Sequence, residues 1–458
     1  MIYLDHNATT PARPEVVEAM ARAAVDFPGN PSSVHGWGRR ARDAVERARA
    51  AVAAFLGVRS EEIVFTSGGT EGDNLAIRGL WDGALSRGRR HLIASPLEHP
   101  AVRGAIDAIG DRGGVTIGGG ANGAAGSLVP EVTWLPVSAR GELAEDDLAA
   151  ALRDDTALVT LALANHELGN RYPLARFASL SRARGALVHT DAVQAAGKVP
   201  LNLSDLGVDA ATISAHKLGG PQGVGAVFLR RGLDLPPLLR GGHQERERRP
   251  GTENVAGIVG FGLACQMAGA SLRPVDDSGL PNRMDRMEAL RRALLGHLRA
   301  VPGVRLLGAD AGNWTTAPAP APATDDAAAE RERRLPGTVM VAFPGAPGQL
   351  VTIGLDLEGI AVSTGAACSS GSLEPSPVLR ALGLSAEQAA EGIRISMGWT
   401  TTARDIARLG EVLPGVVARV RAASHDGQAA TAELGAPDVT PARPAAAMSL
   451  AVATRSGS

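Results

Sequence analysis

Short apolar runs alternate with longer amphipathic stretches between Glu62 and Arg230, and this alternation restricts the possible folds more than any other feature of the chain. "EIVFTS" (Glu62–Ser67) has the composition of a buried strand, and "TEGDNLAIRGLW" behind it reads as a helix. The pair recurs as "HLIAS" with "HPAVRGAIDAI" and as "ALVTLALA" with "PLARFASLSRARG", followed by "ALVHTD", "AATISA" and "GAVFLR". Strands that alternate with helices pair in parallel, and the helices cover both faces of the sheet. The expected fold class is α/β, with a mostly parallel sheet in a large domain over residues 14–261.

At 458 residues the chain is too long for one small core, so a second unit is expected. A helical region around Asn282–Ala300 leads into the strand candidates "GVRLLG", "GTVMVAF", "IAVST" and "GIRISMG", and then into a helix around Ala403–Ala422. These define a smaller α+β domain over residues 1–13 and 262–422, completed by the N-terminal strand "IYLD". The glycine-rich 111–127 segment and the Pro/Ala-rich 315–334 segment read as inserted loops. Residues 423–458 have no apolar periodicity and are expected to be disordered.

A net charge of −2 gives no electrostatic reason for a nucleic acid or an anionic membrane as partner. No apolar run approaches the ~20 residues of a membrane span. The N-terminal "MIYLDHNATTP" has neither the basic nor the apolar region of a secretory signal, which favours a cytoplasmic protein. Two cysteines, Cys265 and Cys368, cannot build a disulfide framework. Only two lysines, Lys198 and Lys217, stand among 46 basic residues, which narrows any amine chemistry to those two.

Open α/β sheets bind ligands at the carboxyl ends of their strands, and several polar clusters fall there. "TSGGTEGDN" offers Gly68 and Gly69 for close backbone approach, and Thr70 at a helix start that suits a phosphate. An ordinary turn with Thr70 as N-cap gives the same local pattern. Asp191, just past "ALVHT", suits either a helix cap or a cationic ring nitrogen. Lys217 follows "AATISAH" in the same layer and is a Schiff-base candidate, although most lone lysines are solvated. Lys198 lies in the connecting segment "AAGKVPLNL" without such company. A phosphate turn, an Asp and a Lys are what a pyridoxal phosphate site needs. His99 in "PLEHPAV" either lies over the ring or makes a local hydrogen bond at a helix start. Cys368, in the small-residue stretch "STGAACSSGSLEPS", has the setting of a nucleophilic or redox thiol. Cys265 on an apparent helix reads as a core residue. Arg394, the lone charge in "GIRISMG", suits a bidentate grip on a carboxylate or an inter-domain ion pair.

The blocks "YLDHNATTP", "GNPSSVH", "EIVFTSGGTEGDNLAI", "EHPAV", "HTDAVQAAGKVPLNL", "SAHKLGGPQGVGAVFLRRG", "LLRGGHQERERRPGTENV" and "GAACSSGSLEPSPVLRALGL", in this order, resemble the cysteine desulfurases of the class V aminotransferase group. These are the pyridoxal phosphate enzymes of nitrogen fixation and iron–sulfur-cluster assembly, and "RGGHQERERRPGTEN" looks closest to the nitrogen-fixation branch. The resemblance runs from Ile2 to about Val420, apart from the two loops. It implies fold type I with a seven-stranded sheet, and conversion of L-cysteine to L-alanine through a persulfide on Cys368. It implies Lys217 as the Schiff-base lysine, Asp191 on the pyridinium nitrogen, Gln194 on the ring hydroxyl, and His99 on the ring and in proton transfer. Gly69, Thr70, Ser214 and His216 would hold the phosphate, joined by Thr252 of a neighbouring subunit, which implies a homodimer. Asn7, Ala8, Thr9, Asn165 and Arg394 would line the substrate end. The implied partners are L-cysteine and a sulfur acceptor or iron–sulfur scaffold protein. No resident metal is implied, Cys368 touching an iron–sulfur cluster only transiently. The family usually has two Asn before the Glu of "ANHELGN", so His166 departs from the pattern at a position that contacts the cofactor. Another class V enzyme, such as a selenocysteine lyase or a transaminase, and a non-catalytic scaffold are the competing readings.

Overall fold

The computed structural model describes residues 1–110, 131–233, 235–273, 282–312, 332–364 and 374–433. Its large sheet has seven strands, in the order Ile63–Thr66, Gly225–Leu229, Ala210–Ser214, Leu187–Asp191, Thr156–Thr160, His91–Ala94 and Glu131–Trp134. Gly225–Leu229 runs antiparallel to both of its neighbours, and the remaining pairs are parallel. The strands from Ile63–Thr66 to His91–Ala94 in that order are buried almost throughout, as expected where helices cover both faces. Each strand and helix read from the alternation over Glu62–Arg230 is present.

The helix Gly69–Leu85 crosses one face of this sheet, packed on Ala210–Ser214, Thr156–Thr160 and Gly225–Leu229. Elsewhere, helices Pro14–Asp26 and Gly36–Leu56 both pack against Val255–Leu272. Val255–Leu272 corrects one expectation, because its 18 uncharged residues are apolar enough to cross a membrane by length and composition alone. Its glycine- and alanine-rich composition hides this in the sequence. Here it serves as a packing helix. A Cβ on Gly262 would lie 2.9 Å from the Ala48 Cα, and one on Gly260 would lie 2.5 Å from the Met20 Cγ. Small residues therefore let the neighbouring helices approach closely. Cys265 on this helix is fully buried, as its sequence context suggested.

The second sheet is antiparallel, with the order Ser363–Thr364, Gly392–Ser396, Thr338–Ala342, Arg305–Leu307. The N-terminal strand Ile2–Tyr3 returns to this part of the molecule and pairs in parallel with Ile360–Ala361. Helices Arg283–Leu298 and Ala403–Glu433 pack together over a separate apolar core containing Leu4, Leu294, Phe343, Ile395 and Leu413. The last helix runs to Glu433, beyond the point where disorder was expected to begin. The alanines of "GQAATAE" are good helix formers, and they extend the helix without any apolar periodicity. The glycine-rich insert, nearly all of the Pro/Ala-rich insert, and Cys368 lie outside the described residues.

Candidate active site

Four neighbouring strands, and a fifth beyond Gly225–Leu229, end on one edge of the large sheet and lead into the groups of the site. Asp191 ends Leu187–Asp191, and Ser214 ends Ala210–Ser214. Lys217 closes the single 3-10 turn that follows Ser214. The turn after Ile63–Thr66 leads into helix Gly69–Leu85. His99 follows His91–Ala94, and Asn165 and His166 follow Thr156–Thr160. Parallel pairing has gathered on one edge groups that are far apart in sequence.

The helix start is built for an anion. Its N-cap is Gly68, and no side chain caps it, so first-turn N–H groups are left for a ligand. Among the described residues, a Cβ on Gly68 would meet nothing within 4 Å. Thr70 is therefore not the N-cap. It sits exposed in the first turn, and its carbonyl accepts from Asn74 Nδ2 at 3.0 Å. Gly69 faces Ser214 and Val193, its Cβ position being 3.9 Å from the Ser214 Cβ and 3.1 Å from Val193.

Asp191 is buried, and its Oδ1 accepts from the Val193 N–H at 2.8 Å. Burial raises its carboxyl above the ordinary aspartate value, opposed by that N–H and by the charges of His166 and Lys217. Asp73 lies behind it, fully buried and raised well above the usual range by burial and by Asp191. A cation opposite Asp191 would offset its desolvation, as a protonated ring nitrogen does. His99 Nδ1 accepts from the Ala101 N–H at 3.1 Å, so the local hydrogen bond exists, and it leaves Nε2 to carry the ring proton. The same ring meets His166 edge to face, with centroids 5.1 Å apart. Burial, then His166 and Lys217, lower the His99 pKa to about 3, which keeps the imidazole neutral.

The N-terminal segment closes over the lysine. Lys217 Nζ donates to the carbonyls of Asn7 at 2.6 Å and Ala8 at 2.7 Å. Thr10 N–H donates to the His216 carbonyl at 2.9 Å, and His216 Nδ1 lies 3.1 Å from Thr9 Oγ1. Arg394 reaches the same place from the second sheet. Its Nη1 donates to the His166 carbonyl at 3.0 Å and its Nη2 to Asp5 Oδ1 at 2.8 Å, while its buried Nε has no partner among the described residues. An ion pair is thus present, but within the smaller unit rather than between the two domains as weighed from the sequence, together with a donor unsatisfied among the described residues and suited to a carboxylate. Asn165 is used differently from the expectation of a substrate contact. Its Oδ1 accepts from the Glu167 and Leu168 N–H groups at 2.9 and 2.8 Å, and its Nδ2 donates to the Leu97 carbonyl at 2.9 Å. It braces the loop that carries His166.

Thr252 is exposed, at the end of a loop anchored beside the helix start. Arg249 pairs with Glu71 in the first turn at 2.9 Å. In the same loop Glu245, Arg246 and Glu247 hold left-handed φ values of 47°, 57° and 66°. Such backbone costs roughly 1–3 kcal/mol per residue and persists only where the surroundings impose it. The buried Glu245 carboxylate imposes it here, through two hydrogen bonds from Arg49 at 2.6 and 2.8 Å and one from the Phe65 N–H at 2.8 Å.

The sequence matches the family described as aminotransferase class-V over residues 2–317 and 322–409. The chain belongs to the class-V aminotransferase family. It is 40% identical over 424 residues to a cysteine desulfurase of Trichormus azollae, covering 93% of this chain and 94% of that one. It is 38% identical over 429 residues to an IscS-like cysteine desulfurase of Mycobacterium tuberculosis, covering 93% and 98%. A solved NifS-like protein superposes with a TM-score of 0.76 at 32% identity, covering 91% of this chain and 99% of the other. The architecture is that of the fold-type I transferases, as the sequence motifs implied.

One residue of this class-V site was misread from the sequence. Lys198 is not an isolated residue of a connecting segment but is buried beside Asn7 and Gln194. Two signals pointed to it: the scarcity of Lys in an Arg-rich chain, and its position four residues after Gln194.

Proposed function

We propose that this chain is a pyridoxal phosphate-dependent cysteine desulfurase that converts L-cysteine to L-alanine and hands the sulfur, carried on Cys368, to an acceptor protein such as an iron–sulfur scaffold. The observation that carries this reading is the convergence of Lys217, Asp191, Ser214 and the uncapped helix start at Gly69 on one sheet edge, with Arg394 meeting them from the other sheet. A related structure, SspA, is described as being in complex with cysteine; it superposes with a TM-score of 0.67 at 28% identity.

Bound through Lys217, pyridoxal phosphate supplies an electron sink for a substrate whose Cα–H bond breaks. The side chains around it have separable tasks. First-turn N–H groups at Gly69 and Thr70, with Ser214, His216 and a partner's Thr252, hold the phosphate. Asp191 holds a proton on the ring nitrogen, and Gln194 donates to the ring hydroxyl. Arg394 takes the substrate carboxylate on its guanidinium, and the Asn7–Thr9 backbone closes that end against water. Lys217 Nζ, handed between the Asn7 and Ala8 carbonyls and the reacting centre, moves the Cα proton. His99, kept neutral, exchanges a proton at Nε2.

The sulfur step belongs to Cys368. Its thiolate attacks the substrate sulfur, forming the S–S bond of a persulfide as the Cβ–S bond breaks; the three-carbon remnant keeps that electron pair, takes up a proton and leaves as alanine. The described residues on either side of the segment that contains Cys368 are fixed to the site. Ser363 pairs in register with Arg394, and Ser376 Oγ donates to the buried Glu167 at 2.6 Å, one residue from His166.

Two variants test the proposal. Lys217→Ala is expected to abolish both the visible absorption band of the bound cofactor and sulfide release from cysteine. Cys368→Ala is expected to keep the band and lose the sulfide. Full sulfide release by Cys368→Ala would remove the persulfide role and leave a different class-V reaction.

A further inference from the structure

Lys198 is a buried amine whose hydrogen bonds go to two neutral amides. Its Nζ donates to Asn7 Oδ1 at 2.5 Å and to Gln194 Oε1. A buried cation held by amide oxygens rather than a carboxylate is costly, and a methionine would fill the same space without that cost. Burial and then the charge of Lys217 push the Lys198 ammonium well below the ordinary lysine value. The lysine's usefulness must therefore lie in what it orients.

A lysine ammonium only donates, so both amides must turn their oxygens towards it. Their NH2 groups are then committed to the opposite side. Gln194 Nε2 donates to the Asn7 carbonyl at 3.0 Å. Asn7 Nδ2 donates to the His166 carbonyl and to Thr338 Oγ1, each at 3.1 Å. The Asn7 carbonyl that receives Gln194 also receives Lys217 Nζ at 2.6 Å. The hydrogen bonds that start at Lys198 thus converge, through Gln194, on the Asn7 carbonyl that also receives Lys217. With Lys198 removed, both amide oxygens would be left buried without that donor, each amide would be held by the groups on its other side, and Gln194 would lose its fixed position.

We propose that Lys198 is a positioning residue that anchors the amide oxygens of Gln194 and Asn7, and through them the donor facing the cofactor ring and the carbonyl that holds Lys217. This rests on the pyridoxal phosphate reading above. The test uses the full chain loaded with pyridoxal phosphate and compares wild type, Lys198→Met, Gln194→Leu and the double variant. Two readouts besides turnover are followed: the wavelength of the cofactor's visible band and the affinity for pyridoxal phosphate. Lys198→Met is expected to shift the band and to weaken cofactor binding about tenfold, the scale of one lost hydrogen bond to a charged partner. The double variant is expected to be clearly less impaired than the sum of the two single variants, because Lys198 acts in part through that amide. Lys198→Arg, which keeps a donor, is expected to recover part of the affinity, and it replaces Lys198→Met in the same comparison if the latter does not fold. An unchanged band and affinity in Lys198→Met, or effects that add to those of Gln194→Leu, would overturn the proposal. A wild-type protein that shows no cofactor band would instead overturn the functional reading itself.

Discussion

Replacing Glu98 with Gln should stabilise this protein, and more strongly as the pH rises. Glu98 precedes His99 in the loop that lines the site, and it is almost completely buried. One carboxyl oxygen accepts from the Ala162 N–H at 3.0 Å, and the other has no partner among the described residues. Burial raises its pKa from 4.5 to about 8, with the charge of Asp191 adding to the effect. The folded chain therefore keeps Glu98 protonated over a range in which the unfolded chain releases the proton. The group's contribution to stability is full below the unfolded value and is lost as pH rises through the folded one. Each pH unit between the two removes about 1.4 kcal/mol, which gives about 3 kcal/mol at neutral pH and about 5 kcal/mol once both states are ionised. Glutamine keeps the acceptor for Ala162 and has no proton to lose. Urea-unfolding midpoints of the two proteins, measured from mildly acidic to mildly alkaline pH, should coincide at the acid end. The gap should then widen in favour of the variant and level off above the folded pKa. A gap that is constant with pH, or one that closes as pH rises, would refute the reasoning.

Two further outcomes follow from particular contacts. Arg394→Lys keeps the charge but loses the planar fork, so the KM for cysteine should rise about thirtyfold or more with a smaller change in kcat, as steady-state kinetics would show; an unchanged KM would place the substrate carboxylate elsewhere. Gly262→Val forces side-chain atoms into the backbone of Ala48, whose Cα is only 2.9 Å from a Cβ at that position. It should lower stability by about 1–3 kcal/mol in thermal melting, and a wild-type melting temperature would show that these helices have room to separate.

Much of the site was legible because its residues sit at strand ends. Asp191, Ser214 and Lys217 could be placed in one layer from the apolar runs before them, since parallel strands bring their carboxyl ends together. The glycines of "TSGG" likewise marked the turn into helix Gly69–Leu85, whose start no side chain of the described residues caps. Residues whose partners come from distant segments were less legible. The role of Asn165 depends on three backbone groups of its own and a neighbouring loop. Its side-chain chemistry suited a ligand contact equally well.

The alternation of apolar and amphipathic segments determined the α/β class by itself, because strand and helix periodicities are local properties of the chain. The scarcity of lysine similarly narrowed the amine chemistry to two positions before any coordinates were considered. Tertiary structure decided which groups meet across long separations. It brought Asn7 onto Lys217, Asp5 onto Arg394 and Glu167 onto Ser376. It also turned Lys198 from an apparently idle linker residue into the start of hydrogen bonds that converge, through Gln194, on the Asn7 carbonyl that also receives Lys217. Such contacts depend on the direction and depth at which two elements pack, and neither is encoded in the periodicity of either element alone.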